Sequence, residues 1–404
     1  VMKILLSAFA FSPILGSECG VGWHWALALA QEHDVTVLTH AWFRKDVEEA
    51  LQRSHVPRLK VEYFHCEPFW TSFKRPHLDS QLYITWWQMR VVGFARQLQK
   101  RDDYDLIHHL TLGSIRYPCW LGFVGKRYIA GPLGGGERSP LKFYRGAPFK
   151  LILREIVRDL VLYSFRVDPF AQAALARAEK IFCRTDDTAR FIPARWQDRV
   201  VVVNEVGAPD VVPRESPVRK RPRTTFLFAG RLMALKGLHI ALDAMALAVR
   251  DGADIKLLIV GDGAMQETLV RQAQRLGLGA RLTMRARIPQ AELMSLYHRA
   301  DAFLFPSLHD SGGTVVLESL SRGLPVICVD LGGPKHFLNP GCGVVVSTQD
   351  ASYDELARRL AKAITDFASL DEVQRQAMHD AACEQARQLS WAHQVRRVYG
   401  ALEA

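Results

Sequence analysis

The sequence predicts an α/β protein of two domains, each built on a doubly wound parallel sheet. Short apolar runs alternate with helical stretches along the chain, which is the pattern of parallel strands joined by crossover helices. A chain of 404 residues has the length of two domains, each large enough to bury its own core. The segment 204–223 is rich in prolines and charged residues, which is typical of an interdomain linker.

The first half of the chain supplies the strands of one predicted sheet. Its short apolar runs are separated by polar or glycine-containing stretches, and the segments 22–32 and 154–178 have helical patterns. The first run could be mistaken for a secretory signal, but it leads into a glycine-rich loop, so we interpret it as a central strand. The predicted strands are 3–8, 35–39, 59–64, 106–109, 126–130, 180–183 and 199–203.

The second half of the chain supplies the second predicted sheet. Its apolar runs end in turns that contain glycine or charged residues, and the tail 390–399 has the pattern of an amphipathic helix. The predicted strands are 225–229, 255–260, 302–305 and 325–330.

The turn that follows the strand 302–305 is the strongest indication of function. Asp310 and Glu318 frame it with seven residues between them, and Gly312 and Gly313 let backbone N–H groups approach a ligand closely. A helix that begins here would direct its positive end at an anion, and Glu318 would lie one turn inside it, where a carboxylate suits a sugar diol. The alternative is an ordinary capped turn with a solvated glutamate.

Two cations follow the strand 225–229. Arg231 and Lys236 lie in a strand-to-helix turn, where they can neutralise a diphosphate at the carboxyl edge of a sheet. The strand 255–260 ends in a Gly-Asp-Gly exit that contains Asp262. The alternative for each charge is a surface residue that happens to follow a strand.

Together these motifs resemble glycosyltransferase family 4. The resemblance rests on Gly230-Arg231 with Lys236-Gly237, on the segments 260–263 and 323–326, on Pro306-Ser307, and on the two carboxylates seven residues apart. It implies the GT-B fold, in which two Rossmann-like domains face each other across a cleft. It also implies an N-terminal acceptor domain at 1–205, to which the C-terminal helix 386–404 returns, and a donor-binding domain at 206–385.

The resemblance also implies roles for the residues of the second domain. Arg231 and Lys236 would stabilise the departing diphosphate, Glu318 would hold the ribose and Asp310 the transferred hexose. The first acidic position of the family is usually Glu, so the shorter Asp310 changes the reach to the sugar. The remaining expected donor-binding residues are Gly230, Asp262, Ser311, Gly312, Gly313 and Thr314.

The first domain contributes fewer candidates. In the glycine-rich loop after the first strand, Gly16 is expected to let the backbone approach the diphosphate, the alternative being a simple strand–helix turn. The strand 106–109 ends in His108 and His109, and alternation along a strand lets only one of them face the cleft. The resemblance implies a histidine near the reacting carbon of the donor, and we favour His109 for that place, with a core histidine as the alternative. His108 is then a candidate for the acceptor side. Glu137 follows a flexible glycine loop and is a candidate for acceptor binding.

Charge and composition indicate the partners. The net charge is +10, and residues 74–158 hold 15 Lys and Arg against 6 Asp and Glu, a net +9. Aromatic and basic residues are mixed at 82–90 and 143–154, which suits an anionic membrane surface, although a core helix with solvated cations would look alike. No nucleic-acid recognition motif accompanies the charge.

The odd number of cysteines, seven without a C-x-x-C pair, predicts reduced thiols in the cytoplasm.

The sequence therefore predicts a retaining hexosyltransferase that uses a nucleotide sugar. A UDP-sugar is favoured and a GDP-sugar comes second. The acceptor is expected to be a saccharide, lipid-linked at the inner membrane face, in the synthesis of a bacterial surface polysaccharide. The two cations would replace a metal, so neither a metal nor a cofactor is expected. Two alternatives stay open, a GT-B epimerase or phosphorylase and a pseudo-enzyme that binds the nucleotide sugar without turning it over.

Overall fold

The computed structural model describes residues 1–66, 81–116, 119–125, 127–145 and 149–403. This part of the chain forms two parallel sheets with intervening helices, as the sequence predicts. The chain divides into two compact units. The first comprises 1–136, 159–206 and 391–404, and the second comprises 137–158 and 207–390.

The first unit contains a seven-stranded sheet in the order β3-β2-β1-β4-β5-β6-β7. All seven strands predicted for this half of the chain are present, with ends that differ from the predicted ones by a few residues. They are β1 (Lys3–Ser7), β2 (Asp34–His40), β3 (Leu59–Phe64), β4 (Leu106–His109), β5 (Tyr128–Leu133), β6 (Lys180–Cys183) and β7 (Val200–Val202).

Helices connect these strands, as the parallel pairing of each neighbour requires. The described helices of the first half of the chain are α1 (Glu18–Leu29), α2 (Arg44–Arg53), α3 (Gln81–Asp102), α4 (Phe149–Ser164), α5 (Pro169–Ala176) and α6 (Asp186–Ala189).

The second unit contains a six-stranded sheet in the order β10-β9-β8-β11-β12-β13. The four strands predicted here are confirmed as β8 (Thr224–Ala229), β9 (Ile255–Val260), β11 (Ala302–Phe305) and β12 (Val326–Val329). The prediction omitted the two edge strands, β10 (Leu282–Arg285) and β13 (Gly343–Val346). Both are four residues long and only partly buried, so neither carries the long apolar run by which the inner strands are recognised.

The helices of the second unit lie between these strands and after them. The last helix of the chain groups with the first unit, where Trp391 stacks on His24 with ring centroids 4.8 Å apart. In chain order the helices are α7 (Leu238–Arg250), α8 (Gln266–Arg275), α9 (Gln290–Arg299), α10 (Thr314–Ser321), α11 (Tyr353–Ser369), α12 (Glu372–Gln388) and α13 (Trp391–Gly400).

The helix predicted at 154–178 is wrong as a single element. The chain forms α4 and α5 instead, with a break at 165–168. Pro169 occupies the first turn of α5, where its missing N–H costs nothing, and the Asp168 side chain accepts hydrogen bonds from Phe170 N (2.9 Å) and Ala171 N (3.2 Å). The Asp-Pro pair therefore starts α5 as a separate helix.

The segment 137–158 groups with the second unit, whereas the sequence analysis placed it in the N-terminal domain. Ser139 Oγ donates to the carbonyl of Leu308 (3.3 Å), and the His239 imidazole shares a hydrogen bond of 2.7 Å with the carbonyl of Phe143. Both contacts join residues about a hundred or more positions apart, and no compositional feature of the segment marks them.

Among the described residues, no helix combines the length and the apolar character that crossing a membrane requires. All seven cysteines are free thiols.

Candidate functional site

The sheet order of the second unit places two of the predicted loops side by side. From β8 the chain proceeds to β9 on one side, and β11 pairs with the other side of β8 and leads on to β12. The strand order therefore reverses between β8 and β11, and such a point leaves a crevice at the carboxyl ends of the strands. The loop after β8 carries Arg231 and Lys236, and the loop after β11 carries Asp310.

Lys236 and Asp310 form an ion pair across these two loops. The Lys236 ammonium contacts Oδ2 of Asp310, and the two side chains are 13% and 18% exposed. Oδ1 of Asp310 accepts from Gly313 N (2.8 Å), and its carbonyl accepts from Gly333 N (2.8 Å). Asp310 therefore connects the loop after β8 to the turn in which it lies.

The charge state of Asp310 follows from these contacts. Burial opposes ionisation of the carboxyl, but the nearby Lys236 ammonium and the hydrogen bonds from Lys236 and Gly313 outweigh it and hold its pKa below the usual range. Asp310 is therefore an anion at neutral pH. Its negative charge offsets the positive charge of the Lys236 ammonium.

Helix α10 starts immediately behind this ion pair. Gly313, with φ of 64°, is its N-terminal cap, and Thr314 is its first residue. The left-handed conformation at Gly313 strains any residue with a Cβ, so glycine is required there. The first N–H groups of a helix have no partner within it, and they point with the positive end of the helix dipole past Gly312 and Gly313. The predicted anion-binding turn has this geometry.

Glu318 lies one turn inside α10 and is held from two sides. Oε1 accepts from Gln290 Nε2 (2.7 Å) and Oε2 from the hydroxyl of Tyr297 (3.1 Å), both on α9. Burial raises the pKa of Glu318, and the two hydrogen bonds partly oppose that rise. Each carboxylate oxygen has a second lone pair for a ligand hydroxyl. No sequence motif indicates Gln290 and Tyr297, because they belong to a helix with no motif of its own.

Arg231 and Asp262 have different surroundings. The Arg231 side chain is exposed and has no hydrogen-bond or ion-pair partner among the described residues. Oδ2 of Asp262 accepts from Arg287 N (3.0 Å), so this carboxylate joins the loop after β9 to the loop after β10. Arg231 is thus available to a ligand, whereas Asp262 already holds the protein backbone.

His309 adjoins the site, although its sequence pattern did not mark it as a candidate. It directly precedes Asp310, and its Nδ1 is buried without a hydrogen-bond partner among the described residues. Burial lowers the pKa of His309 to about 4, with Arg158 acting in the same direction and Glu137 against it. The ring is therefore neutral at pH 7. Glu137 is buried in this neighbourhood, within the second unit.

In the first unit the structure shows no steric need for glycine at position 16. Gly16 is exposed, and a Cβ built on it would meet nothing within 4 Å. A Cβ on Gly22 would lie 2.5 Å from the carbonyl of Ala10, so α1 and the loop after β1 approach each other closely at Gly22. The predicted approach of Gly16 to the diphosphate stays a prediction. The start of α1 is fixed by Glu18, which bonds Arg184 (2.8 Å) and Leu112 N (3.0 Å).

Both histidines at the end of β4 are buried in the first unit. The ring of His108 is bonded on both nitrogens, to the hydroxyl of Tyr399 (2.9 Å) and to the carbonyl of Gly131 (2.7 Å). His109 Nδ1 lies 3.4 Å from Ser7 Oγ, and its Nε2 has no partner among the described residues. A cavity of about 10 Å³ lies against His109, which has room for one water molecule.

The Lys236–Asp310 pair provides a test of how this site is held. We expect Lys236→Met to lower the free energy of unfolding by about 3 kcal/mol, because Asp310 would remain as a largely buried anion without its cation. Asp310→Asn added to Lys236→Met should recover more than half of that loss. Because protonation of Asp310 relieves the penalty, the loss should be larger at pH 8 than at pH 5.

Urea unfolding at both pH values measures these effects. Lys362→Met is the matched control, since it removes an exposed i,i+4 ion pair with Asp366 (2.8 Å) and should cost less than about 0.5 kcal/mol. Equal losses for Lys236→Met and Lys362→Met would show that Asp310 does not depend on Lys236.

Two units, each built on a parallel sheet, and a charged crevice at a strand-order reversal are the features expected of the GT-B fold. Residues 213–381 match the family model of the "Glycosyl transferases group 1". The match lies within the second unit, and it confirms the predicted resemblance to a glycosyltransferase for that part of the chain.

A curated relative is similar to part of the chain. A D-inositol 3-phosphate glycosyltransferase of Segniliparus rotundus is 36% identical over 126 residues, which are 30% of this chain and 28% of that enzyme. The chain thus matches less than a third of the length of this relative.

Two solved structures share the fold over the whole chain. The lipopolysaccharide outer core galactosyltransferase WaaB in its apo form has a TM-score of 0.64 at 15% identity, covering 100% of this chain and 99% of that one. Anabaena Alr3699/HepE in complex with UDP and glucose has a TM-score of 0.59 at 18% identity, covering 100% of both chains. The GT-B fold is therefore confirmed.

Proposed function

We propose that the protein is a retaining hexosyltransferase of glycosyltransferase family 4 that transfers a sugar from a UDP-sugar donor. The observation that carries the proposal is the arrangement at the strand-order reversal of the second unit. There the Lys236–Asp310 pair lies before the N-terminus of α10, and Glu318 lies one turn further on. Arg231, which has no side-chain partner among the described residues, lies in the same loop as Lys236. The cations and the helix N-terminus suit a phosphate ligand, and the glutamate suits a sugar diol.

The positively charged groups of the site would bind the diphosphate of the donor. Arg231 and Lys236 would stabilise the negative charge that develops on the diphosphate as the glycosidic bond breaks, together with the amides of Gly312, Gly313 and Thr314. These cations would serve in place of a metal ion. UDP is favoured over GDP because the HepE structure of the same fold is a complex with UDP and glucose.

The two carboxylates would bind the sugar parts of the donor. Glu318, already oriented by Gln290 and Tyr297, would accept hydrogen bonds from the ribose diol. Asp310 would bind the transferred hexose, and the incoming hydroxyls would compete with Lys236 for its oxygens. Donor binding would then free the Lys236 ammonium to turn toward the diphosphate.

The acceptor we propose is a saccharide carried on a lipid, in the synthesis of a bacterial surface polysaccharide at the inner membrane face. The support is the basic segment 74–158 and the fold shared with WaaB, which is named for its part in the lipopolysaccharide outer core. Glu137 and His108 remain candidates on the acceptor side, and His109 remains a candidate near the reacting carbon of the donor.

A panel of nucleotide sugars tests the donor. We expect UDP and one UDP-sugar to raise Tm by several degrees at millimolar concentration, equally with and without EDTA, because a ligand that binds only the folded state stabilises it by mass action. The panel contains UDP-glucose, UDP-galactose, UDP-N-acetylglucosamine, UDP-glucuronate, GDP-mannose, UDP and GDP. A response confined to the GDP compounds would reassign the base, and a response abolished by EDTA would refute the metal-independent site. No response to any of them would refute the proposed donor site.

A further inference from the structure

Helix α4 carries an apolar face that the protein leaves in water. Leu153, Val157 and Leu160 are 46%, 50% and 66% exposed, and Ile156 is 39% exposed. Their spacing of three and four residues places them on one side of the helix. A surface helix ordinarily carries charged or polar residues on its outer side, so this face is unusual.

The opposite side of α4 is the one that packs against the protein. Glu155 and Leu162 are 7% and 1% exposed, and Arg158, which pairs with Glu155 at 2.6 Å, is only 17% exposed in its side chain. Phe165, directly after the helix, is also buried. The helix is thus held in place by one side, and its outer side is free to contact another surface.

Exposed apolar and basic residues also follow the end of α4. Val167 and Phe170 are 81% and 74% exposed. The guanidinium of Arg166 lies 5.7 Å from the ring centroid of Tyr163, which is itself 41% exposed. The stretch 138–154, which leads into and includes the start of α4, contains five Lys and Arg and no Asp or Glu.

We propose that the outer face of α4 is a docking surface for an anionic lipid membrane. The helix would lie in the plane of the interface, with Leu153, Val157 and Leu160 among the acyl chains and the exposed Lys142 and Arg166 near the headgroups. Charge favours this occupant over a second copy of the chain, because each copy carries a net charge of +10 and copies would repel one another. The proposal deepens the proposed function, since it rests on a lipid-linked acceptor, and it specifies how the enzyme would reach it.

Flotation with lipid vesicles tests the proposal on the full chain. We expect the protein to float with vesicles containing phosphatidylglycerol and phosphatidylcholine, and to remain in solution with phosphatidylcholine alone. Leu160→Glu should lower the partition coefficient on the anionic vesicles at least about tenfold, because it places a charge among apolar side chains at the interface. Leu153→Glu should have a similar effect. Added salt should weaken the binding of the unmodified protein.

The matched control is Val373→Glu, which adds the same charge at a valine that is 78% exposed on α12. It should change the partition coefficient less than twofold. No flotation of the unmodified protein, or an equal loss with Val373→Glu, would overturn the proposal. So would concentration-dependent dimerisation in solution that Leu160→Glu abolishes, because the face would then bind a second copy.

The vesicle experiment is independent of the donor site. Leu160→Glu should leave the rise of Tm with a UDP-sugar unchanged, since no residue of α4's outer face belongs to that site. Vesicle binding without any nucleotide response would refute the proposed function and leave the docking surface standing. A nucleotide response without vesicle binding would refute only the docking surface.

Discussion

Arg231→Ala is expected to lower kcat for UDP release from the donor by two to three orders of magnitude. Loss of one preorganised group at a developing negative charge costs about that much in other enzymes. The Tm should stay within about 1 °C, because the exposed Arg231 side chain has no partner among the described residues whose loss would matter. Steady-state UDP release, with and without acceptor extracts, is the measurement.

Two further variants make this result specific to the position. Arg231→Lys keeps the charge but not the planar fork, so it should recover part of the turnover. Arg250→Ala removes another exposed arginine of the same unit, at the end of α7, and should leave kcat unchanged. Turnover of Arg231→Ala at the level of the unmodified protein would remove Arg231 from the reaction. A protein that binds UDP but shows no turnover even unmodified would be the pseudo-enzyme.

The second prediction separates the two carboxylates by the part of the donor that each one contacts. Glu318→Gln should lower the affinity for UDP and for the UDP-sugar equally, by about tenfold or more, because both ligands contain the ribose. Asp310→Asn should weaken only the UDP-sugar, since UDP has no hexose. UDP affinity of Asp310→Asn should not fall, because Lys236 would lose its internal anion and remain available to the diphosphate.

Calorimetric titration of both ligands against both variants gives the four dissociation constants. Gln290→Ala serves as a control for orientation, since it removes only the hydrogen bond of 2.7 Å to Glu318 Oε1. Gln290→Ala should lower the affinity for UDP and for the UDP-sugar by equal factors, as Glu318→Gln does, but by a smaller factor. If Glu318→Gln weakened only the UDP-sugar, the assignment of Glu318 to the ribose would be wrong.

Much of the fold can be predicted from the local pattern, but its edges cannot. The inner strands β8, β11 and β12 are buried along their whole length and appear as continuous apolar runs. β13 has two exposed valines at its centre, and β10 alternates between half-buried and exposed residues. Pairing with β12 and with β9 makes these two segments strands. That pairing depends on a neighbour distant in sequence, so a local pattern does not contain it.

The candidate site divides in the same way. Arg231, Lys236, Asp310 and Glu318 follow from their positions after strands, because the carboxyl ends of parallel strands share one edge of a sheet. Spacing alone does not indicate that Asp310 is paired with Lys236, or that Gln290 and Tyr297 hold Glu318 from α9. For His309, the sequence shows only a histidine beside a carboxylate, and the buried Nδ1 is a result of packing.

By itself the sequence determined the two parallel sheets, the strands at their centres and the turn that begins α10. Each of these depends on short-range features, namely the burial of apolar runs and the conformational freedom of glycine. Only the tertiary structure decided that residues 137–158 join the second unit, that Gly22 lies against the carbonyl of Ala10, and that one face of α4 remains uncovered. The physical reason is that these features depend on which distant residues pack together, and the sum of many weak contacts over the whole fold decides that packing.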